Sequence, residues 1–426
     1  MAAPGAAARD LRPLFLLDPG VTFLNHASFG ACPRPVLEVY QAWQRELERQ
    51  PVEFVARRSH GLLAEARGRL AAYVGCGTDD LVYVPNATHG VNVVANALVV
   101  TRLRPLSAGD EVLTTDHEYG ACARAWRLAC ARSGAAYVPV RLPAPLQSHE
   151  EVVERVWSAV TPRTRVLFWS HVTSPTGLVF PVAELCRRAR HAGILTVVDG
   201  AHGPGQVPVD VTELGADFYA GNCHKWLCAP KGAGFLYARP EVQRLVEPLV
   251  VSWGTRPEFP GPSRFVDDLE FTGTRDVAAW LAVPAAIDFQ AHYGWPAVRA
   301  RCHALVQQAR RTLVERYGMA AVHPDDPDWY AQMEAVTLPA CDPLALHAAL
   351  TERHRVEVPC YWWRRRPLLR VAVQGYNDAR DLDALFAALD AELPPAVSAA
   401  RRGGRPTAPR SDRRGPSGAR RREQGA

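Results

Sequence analysis

The chain has 426 residues, of which 48% are hydrophobic and 22% charged, and its net charge at pH 7 is +5. This is the composition of a globular protein of about two domains with a large core, and without a run of about 18 apolar residues we expect no membrane span. Nine arginines after residue 400, opposed by Asp412 and Glu423, give that segment +7 and leave the rest of the chain at −2, so we expect no nucleic-acid binding by the folded part.

Alternating strands and helices are predicted between about residues 80 and 240. Helices of 10–15 residues between strands are typical of a mostly parallel sheet that is covered on both faces. We therefore predict an α/β domain whose ligand lies at the carboxyl ends of the strands. The predicted strands are 80–85, 111–115, 137–140, 164–170, 194–199, 217–221 and 232–238, and the predicted helices are 91–100, 119–132, 150–160 and 182–191.

A second, smaller α+β pattern follows two long predicted helices at 277–292 and 296–317. It consists of strands at 334–338 and 368–374 and helices at 344–352 and 378–392. We divide the chain into an N-terminal extension (1–19), a large domain (20–295), a small C-terminal domain (296–393) and an Arg-rich tail (394–426). The N-terminal part of the large domain is expected to contribute to the small one. The Gly, Pro and Ser content of the tail predicts disorder.

Lysine is unusually scarce, since Lys225 and Lys231 are the only two in the chain. Arginine replaces lysine readily on a protein surface, but a guanidinium cannot form an imine. Lys225 follows the predicted strand 217–221, where desolvation would lower the pKa of its amine as imine formation requires. Lys231 lies in a Pro-Lys-Gly turn, and we interpret it as a surface lysine.

Asp199 ends the neighbouring predicted strand, and a carboxylate in that position needs a cation or a hydrogen-bond donor. A structural salt bridge would satisfy Asp199 taken alone. Together, Asp199 and Lys225 suit pyridoxal phosphate (PLP), whose ring nitrogen needs a carboxylate and whose aldehyde carbon needs a lysine. Thr88, at a predicted helix N-terminus, and His224 can hold the phosphate.

These residues carry a family resemblance that covers about residues 20–392. The segments D-G-A-H (199–202) and G-N-C-H-K-W-L-C-A-P-K-G-A-G (221–234) resemble the cofactor segment of the class V aminotransferase superfamily, PLP-dependent fold type I. Its members include cysteine desulfurases, kynureninases and isopenicillin N epimerases. The isopenicillin N epimerase-like branch is the most similar, through F-L-N-H-A-S-F-G (23–30), P-V-E-F-V-A-R-R (51–58), D-H-E-Y-G (116–120) and S-W-G (252–254).

The resemblance implies a role for each matching residue. Lys225 would form the Schiff base, Asp199 would pair with the pyridine nitrogen, and His224 would contact the phosphate. His117 lies at the ring-stacking position, with Tyr119 as the alternative. Ala87, Thr88 and Asn222 would lie near the phosphate, with Asn222 at a position where desulfurases usually have serine, and His202, Thr173 and Ser174 would lie near the pyridoxal hydroxyl. Thr274 would reach the phosphate from a second subunit, which implies a homodimer. Asn25 and Arg370 would contact the substrate, with Arg370 binding its carboxylate.

The implied reaction starts at the α-carbon of an amino acid. Lys225 would pass its imine to the substrate amine and then remove the α-proton as general base. Epimerisation requires reprotonation from the opposite face, whereas a C–S or β-lyase requires a leaving group, so the same site supports both. Cys360 does not match the position of the desulfurase nucleophile, which counts against a desulfurase.

Two alternatives belong to other classes of protein. A metal hydrolase would use Asp199 with four histidines, but their spacing is not compact and Lys225 would have no role, so we expect no metal. A non-catalytic binding protein with this fold would not need the complete Asp, Lys and Arg set. The ten cysteines have no disulfide or metal spacing, and the N-terminus does not resemble a secretion signal, so we expect a cytoplasmic protein. The four histidines are His117, His171, His202 and His224.

Overall fold

The computed structural model describes residues 10–258 and 260–393, so the predicted tail and the first nine residues lie outside the described residues. The strands are β1 (Thr22–Phe23), β2 (Leu81–Val84), β3 (Glu111–Thr115), β4 (Ala136–Val140), β5 (Thr164–Ser170), β6 (Leu195–Gly200), β7 (Phe218–Asn222), β8 (Gly234–Ala238), β9 (Ala320–Ala321), β10 (Met333–Thr337), β11 (Val356–Glu357), β12 (Cys360–Trp363) and β13 (Arg366–Ala372).

The helices of the described residues vary from one turn to six. They are α1 (His26–Phe29), α2 (Arg34–Arg49), α3 (Ser59–Val74), α4 (Ala87–Val100), α5 (Gly120–Ser133), α6 (His149–Trp157), α7 (Val182–His191), α8 (Val211–Leu214), α9 (Pro240–Gln243), α10 (Arg264–Glu270), α11 (Ala278–Leu281), α12 (Val283–His292), α13 (Trp295–Tyr317), α14 (Pro343–His354) and α15 (Ala379–Glu392). None of these helices is long and apolar enough to cross a membrane.

A seven-stranded sheet forms the large domain, in the order β2-β8-β7-β6-β5-β3-β4. Every strand pair is parallel except the two that involve β8. The central parallel strands β6 and β7 are buried at every residue because helices cover both faces of the sheet. This arrangement confirms the α/β, fold type I architecture that the sequence predicts.

The two faces of this sheet belong to separate hydrophobic cores. In β6, Val197 packs into one core and Val198 into the other, since successive strand residues point to opposite faces. Helices α4 and α5 cover the Val197 face. Helices α3, α7 and α12 cover the Val198 face. Residues at the carboxyl ends of the strands are therefore flanked by α4 and α5 on one face of the sheet and by α3, α7 and α12 on the other.

The small domain contains a four-stranded antiparallel sheet in the order β12-β13-β10-β9. The N-terminal segment joins this domain, because β1 pairs in parallel with β11 and Asn25 forms a bridge to Ala372. Residues of the predicted extension also pack here: Leu11 and Phe15 are buried, and Arg12 forms an ion pair with Asp381. Residues distant in sequence thus meet next to the sheet edge.

Several elements differ from the sequence prediction. The helix predicted at 277–292 is two helices, α11 and α12, since Pro284 lies in the first turn of α12. A π-helix, Glu53–Arg58, connects α2 to α3. The turn of the β12-β13 hairpin consists of Arg364 and Arg365, both with positive φ. This strained turn is held by an ion pair between Arg364 and Asp116, which ties the small domain to the loop after β3.

Candidate active site

A cavity of about 200 Å³ lies at the carboxyl ends of the central strands. It brings together eight of the residues predicted to bind the cofactor. It also contains Tyr119, the alternative to His117. The lining residues are Ser28, Phe29, Asn86, Ala87, Thr88, Tyr119, Ser170, Val172, Ser174, Asp199, Ala201, His202, Asn222, His224 and Lys225.

Lys225 lies three residues beyond the end of β7, with its amine inside the cavity. Its Nζ is 3.2 Å from Nε2 of His202, and Nδ1 of His202 accepts a hydrogen bond of 3.0 Å from the Trp226 indole. Burial, assisted by the charge of Arg370, lowers the pKa of Lys225 to about 8. Burial also holds the pKa of His202 well below its usual value, so this imidazole is neutral. A lysine with this pKa is available as a neutral nucleophile near physiological pH.

Gly30 allows the N-terminal segment to contact the lysine loop. Its φ is +70°, and a Cβ there would lie 2.1 Å from the carbonyl oxygen of His224. The neighbouring His26 is buried, and its Nε2 lies 3.1 Å from the carbonyl oxygen of Lys225. The F-L-N-H-A-S-F-G motif therefore fixes the backbone on which Lys225 is mounted.

Asp199 is a buried carboxylate in β6, and both of its oxygens face weak or neutral donors. Oδ1 accepts a 2.9 Å hydrogen bond from the Ala201 amide, and Oδ2 lies 3.3 Å from the Cys122 thiol. Burial raises its pKa. A buried carboxylate in these surroundings is costly unless a cation completes the site. A protonated pyridine nitrogen provides that charge, so the residues present fit pyridoxal phosphate.

The phosphate end of the cavity is formed by the start of α4. Asn86 caps the helix by accepting from the His89 amide at 2.9 Å, and Oδ1 of Asn222 accepts from the Ala87 amide at 2.8 Å. Asn222 therefore positions the first turn of α4, whose N-terminus favours an anion beside Thr88. The Thr88 side of this turn lines the cavity.

His224 lies at the same end, with Nδ1 donating to the Ala233 carbonyl at 3.0 Å. Burial lowers its pKa to about 4, so the ring is neutral without an anion. Its Nε2 can donate to a phosphate oxygen only when the ring is protonated, and the negative charge of a phosphate favours that form. His224 thus fits the predicted phosphate contact once the anion is present.

His117 does not line the cavity. It is fully buried, its Nδ1 lies 2.8 Å from Oγ1 of Thr176, and its ring packs at 4.7 Å against Trp363 of the small domain. Tyr119 lines the cavity with 45% of its surface exposed. Of the two stacking candidates, the geometry favours Tyr119, and His117 instead anchors the loop.

Glu118 is a partly buried acid at this edge that the sequence reasoning missed. Its carboxyl accepts hydrogen bonds from Thr115 (2.6 Å) and from Ser170 (2.7 Å), a cavity residue. Burial raises the pKa of Glu118 to about 8. The available signal was its position in D-H-E-Y-G, directly after the buried strand β3.

The residues predicted to contact substrate lie on the small-domain side. Arg370 is almost buried; its guanidinium donates to the Ser174 carbonyl and, at 3.3 Å, to the Ser28 hydroxyl. Ser28 donates to Asn25, and Asn25 donates to Glu357. Arg370 and Asn25 are thus one step behind the cavity surface, which Ser28 and Ser174 form. Both are in place to orient a carboxylate bound there.

Three other candidates lie outside the cavity. Thr173 is buried and bonds to Thr176. Thr274 is exposed, and its neighbours Gly273 and Arg275 line a second, larger cavity of about 740 Å³. Cys360 is buried in β12, and burial raises its pKa far above the usual range of a thiol.

The residues of the metal-hydrolase alternative do not form a metal site. Nδ1 of His171 pairs with the Tyr219 hydroxyl at 3.0 Å, Nδ1 of His117 with the Thr176 hydroxyl and Nδ1 of His224 with the Ala233 carbonyl. Within residues 10–258 and 260–393, no group of three or more His, Cys, Asp or Glu side chains has the geometry of a metal site.

A parallel sheet with a buried aspartate and a desolvated lysine at neighbouring strand ends defines a PLP-dependent enzyme of fold type I. Residues 23–385 match the family model described as Aminotransferase class-V, and the chain belongs to this family. The match covers both domains.

Similar proteins include two named isopenicillin N epimerase. The one from Amycolatopsis lactamdurans is 42% identical over 88% of this chain and 95% of its own length, and the one from Streptomyces clavuligerus is 39% identical over 90% and 97%. A probable L-cysteine desulfhydrase of Arabidopsis thaliana is 32% identical over 88% of this chain and 83% of its length. Among solved structures, the cysteine desulfurase CsdA from Escherichia coli superposes with a TM-score of 0.75 at 24% identity, covering 90% of this chain and 97% of that one.

Proposed function

We propose that this protein is an epimerase that inverts the α-carbon of an amino acid, with isopenicillin N, the compound in its relatives' names, as the first substrate to test. The observation that carries this proposal is the likeness to two epimerases over nearly their whole length. The cavity agrees with it, because its lining includes a lysine base and contains no cysteine. A persulfide-forming nucleophile is thus missing from the cavity lining.

Lys225 and His202 have different roles in removing the α-proton of the substrate. When bound, pyridoxal phosphate withdraws electrons from the substrate's α-carbon and so acidifies its proton. Lys225 takes that proton, since its pKa of about 8 suits a base at neutral pH. The neutral His202 beside Nζ stabilises the position of the amine without adding a competing charge.

Binding of the substrate carboxylate is assigned to Ser28, Ser174 and Arg370, which we call the rim of the cavity. Ser28 and Ser174 line the cavity, and Arg370, outside the lining, donates hydrogen bonds to both residues. A substrate carboxylate that displaces these contacts would gain a charge-assisted, bidentate interaction with the guanidinium. This fixes the α-carbon between the lysine and the rim.

A C–S or β-lyase is the second candidate function. The desulfhydrase relative, 32% identical over 83% of its own length, supports it. Lys225 would perform the same first step in a lyase, so only the fate of the substrate distinguishes the two functions.

We further propose a homodimer with shared active sites. Thr274 is exposed, and so are Val251 and Trp253 on the preceding segment, with 75% and 86% of their surfaces accessible. Large apolar side chains this exposed are typical of an interface. If Thr274 serves the partner's phosphate, mixing inactive Lys225→Ala and Thr274→Ala subunits should regenerate one intact site per mixed dimer. No recovery of activity would contradict shared sites.

A cytoplasmic location is proposed as well. All ten cysteines are free thiols, and seven of them are buried among the apolar side chains of the hydrophobic cores. A reducing compartment keeps such thiols unpaired.

The experiment that tests the function is a substrate panel in deuterated water. The holoenzyme is incubated with isopenicillin N and with L- and D-amino acids, and products are analysed by chiral chromatography and mass spectrometry. Inversion with one deuterium at the α-carbon is expected. Release of ammonia, sulfide or an oxo acid, without inversion of any substrate, would contradict the epimerase and establish the lyase.

A further inference from the structure

We infer that the hydroxyl of Tyr119 is the second proton carrier of the site, serving the face of the α-carbon opposite Lys225. This inference rests on the proposed epimerase function, because only inversion needs a proton delivered to the other face. It adds a catalytic role to a residue whose predicted role is to stack on the cofactor ring.

Tyr119 and Lys225 enter the cavity from opposite sides of the sheet. Tyr119 precedes α5, whose Cys122 and Trp126 pack into the core on the Val197 face. Lys225 is followed by Leu227 and Cys228, which pack into the core on the Val198 face. A planar group that extends from the sheet edge between these two side chains therefore has one on each side. That is the arrangement needed to remove a proton from one face and add one to the other.

The other titratable side chains of the cavity lining are already committed. His202 lies beside Lys225 and accepts from Trp226, so it belongs to the lysine side. His224 bonds to Ala233 at the phosphate end. Asp199 is buried at the pyridine end. Tyr119 is the remaining titratable residue of the lining, and its ring is half exposed to the cavity and to solvent.

The loop that carries Tyr119 is fixed at each of the three preceding residues. Asp116 forms an ion pair with Arg364 of the small domain. His117 bonds to Thr176, and Glu118 bonds to Thr115 and Ser170. Each of these three residues thus anchors the loop by its side chain, whereas Tyr119 itself lines the cavity. Such support positions a side chain for chemistry.

The proton balance of inversion closes with these two residues. On one face the α C–H bond breaks, its proton moves to Nζ of Lys225, and its electron pair stays with the substrate. On the other face the Tyr119 O–H bond breaks and a new α C–H bond forms, which leaves a phenolate and a lysine ammonium. Because Tyr119 is partly exposed, solvent returns a proton to the phenolate, and the ammonium gives one up. The reverse direction exchanges the two roles.

The test compares Tyr119→Phe with the matched control Tyr293→Phe, a tyrosine outside the cavity that packs on Phe289. Each holoenzyme is incubated in deuterated water with an L-substrate that the wild type inverts. For Tyr119→Phe we expect inversion to fall by about 10²-fold or more, the usual contribution of a general acid or base. Exchange of the α-proton with retained configuration should persist, because Lys225 can return a deuteron to the face from which it took the proton.

Cofactor binding provides an independent readout. Titration of the apoprotein should give Tyr119→Phe an affinity for pyridoxal phosphate within about threefold of the wild type, since the ring is kept. Tyr119→Ala should bind the cofactor more weakly. A Tyr119→Phe enzyme that inverts its substrate at the wild-type rate would overturn the assignment and leave Lys225 as the single base. If the wild type inverts no substrate at all, the proposed epimerase function fails instead, which is a distinguishable result.

Discussion

The cofactor side and the substrate side of the cavity are built in different ways. On the cofactor side, Asp199 lies near the end of β6 and Lys225 follows β7, the neighbouring strand of the same sheet, and 26 positions separate them in the sequence. On the substrate side, Ser28, Ser174 and Arg370 meet from three distant parts of the chain. The first side depends on a regular sheet, and the second depends on how the small domain packs against the large one.

This difference separates chemistry from specificity. The sheet edge supplies the groups that any reaction of the cofactor needs, and its geometry follows from a regular architecture. The substrate side is held by a few hydrogen bonds of Arg370 to Ser28 and Ser174, and the small domain that carries Arg370 is tied to the loop after β3 by the ion pair between Arg364 and Asp116. Changes at the rim should therefore alter substrate use while the cofactor stays bound.

The largest effect is expected on the cofactor side, from Lys225→Ala. Turnover should fall by at least about 10⁴-fold, because the change removes both the covalent attachment and the base. The absorbance of the lysine-bound cofactor should disappear as well. Lys231→Ala is the control, since Lys231 is exposed and donates to the Gly30 carbonyl. Turnover retained by Lys225→Ala would remove the lysine from the mechanism.

On the substrate side, Arg370→Lys should lower kcat/KM by about 10²-fold, mainly through KM, since an ammonium cannot form the two parallel bonds of a guanidinium. The cofactor absorbance should not change. Arg366→Lys, four residues earlier in the same strand and outside the cavity, should behave as the wild type. Loss of cofactor binding in Arg370→Lys would show that the two sides are not independent.

Glu118, which bonds to the cavity residue Ser170, is tested by the pH dependence of stability of the Glu118→Gln variant. Burial raises the pKa of Glu118 from 4.5 to about 8, so the folded protein keeps a proton that the unfolded chain releases. The contribution of this group to stability is therefore lost as the pH rises from 4.5 through about 8. The free energy of unfolding of Glu118→Gln, taken relative to that of the wild type, should therefore rise by roughly 1–3 kcal/mol between pH 5 and pH 8.

Urea unfolding of both proteins at pH 5 and pH 8 measures this gain. The measurement uses the apoprotein, because the charges of a bound cofactor would alter the effect of the Glu118 charge on stability. A difference between the two proteins that stays constant over this pH range would mean that Glu118 is ionised in the fold.

The smallest effect is expected for Cys360→Ala. The thiol is buried in β12, outside the cavity lining, and burial raises its pKa. Turnover should stay within about twofold of the wild type, since a thiol with a raised pKa is not a nucleophile. A tenfold loss of turnover would instead indicate that Cys360 takes part in the reaction, as in a desulfurase.

Much of the large domain could be predicted from the sequence because its strands are short, apolar and buried. The bounds predicted for β3 and β5 agree with the structure residue for residue, and those for α7 also agree. Asp199 and Lys225 were identifiable because the strands predicted at 194–199 and 217–221 end at Asp199 and shortly before Lys225. Periodicity is a strong signal where one architecture repeats.

The rest depends on contacts that a linear pattern does not contain. His117 and Tyr119 are two residues apart, and only the packing of Trp363 and Thr176 around His117 separates their roles. The two-arginine turn of the β12-β13 hairpin lacks the Asn-Gly sequence that predicts such turns, so its position was not recognised. Tertiary contacts decided these cases.

The scarcity of lysine has a practical consequence for measuring the protein. Aldehydes condense with accessible primary amines, and on most proteins many surface lysines compete for such a reagent. Here Lys231 is the only lysine besides Lys225. Reductive trapping of the purified protein followed by peptide mapping should therefore report cofactor stoichiometry at Lys225, with Lys231 as the one competing lysine.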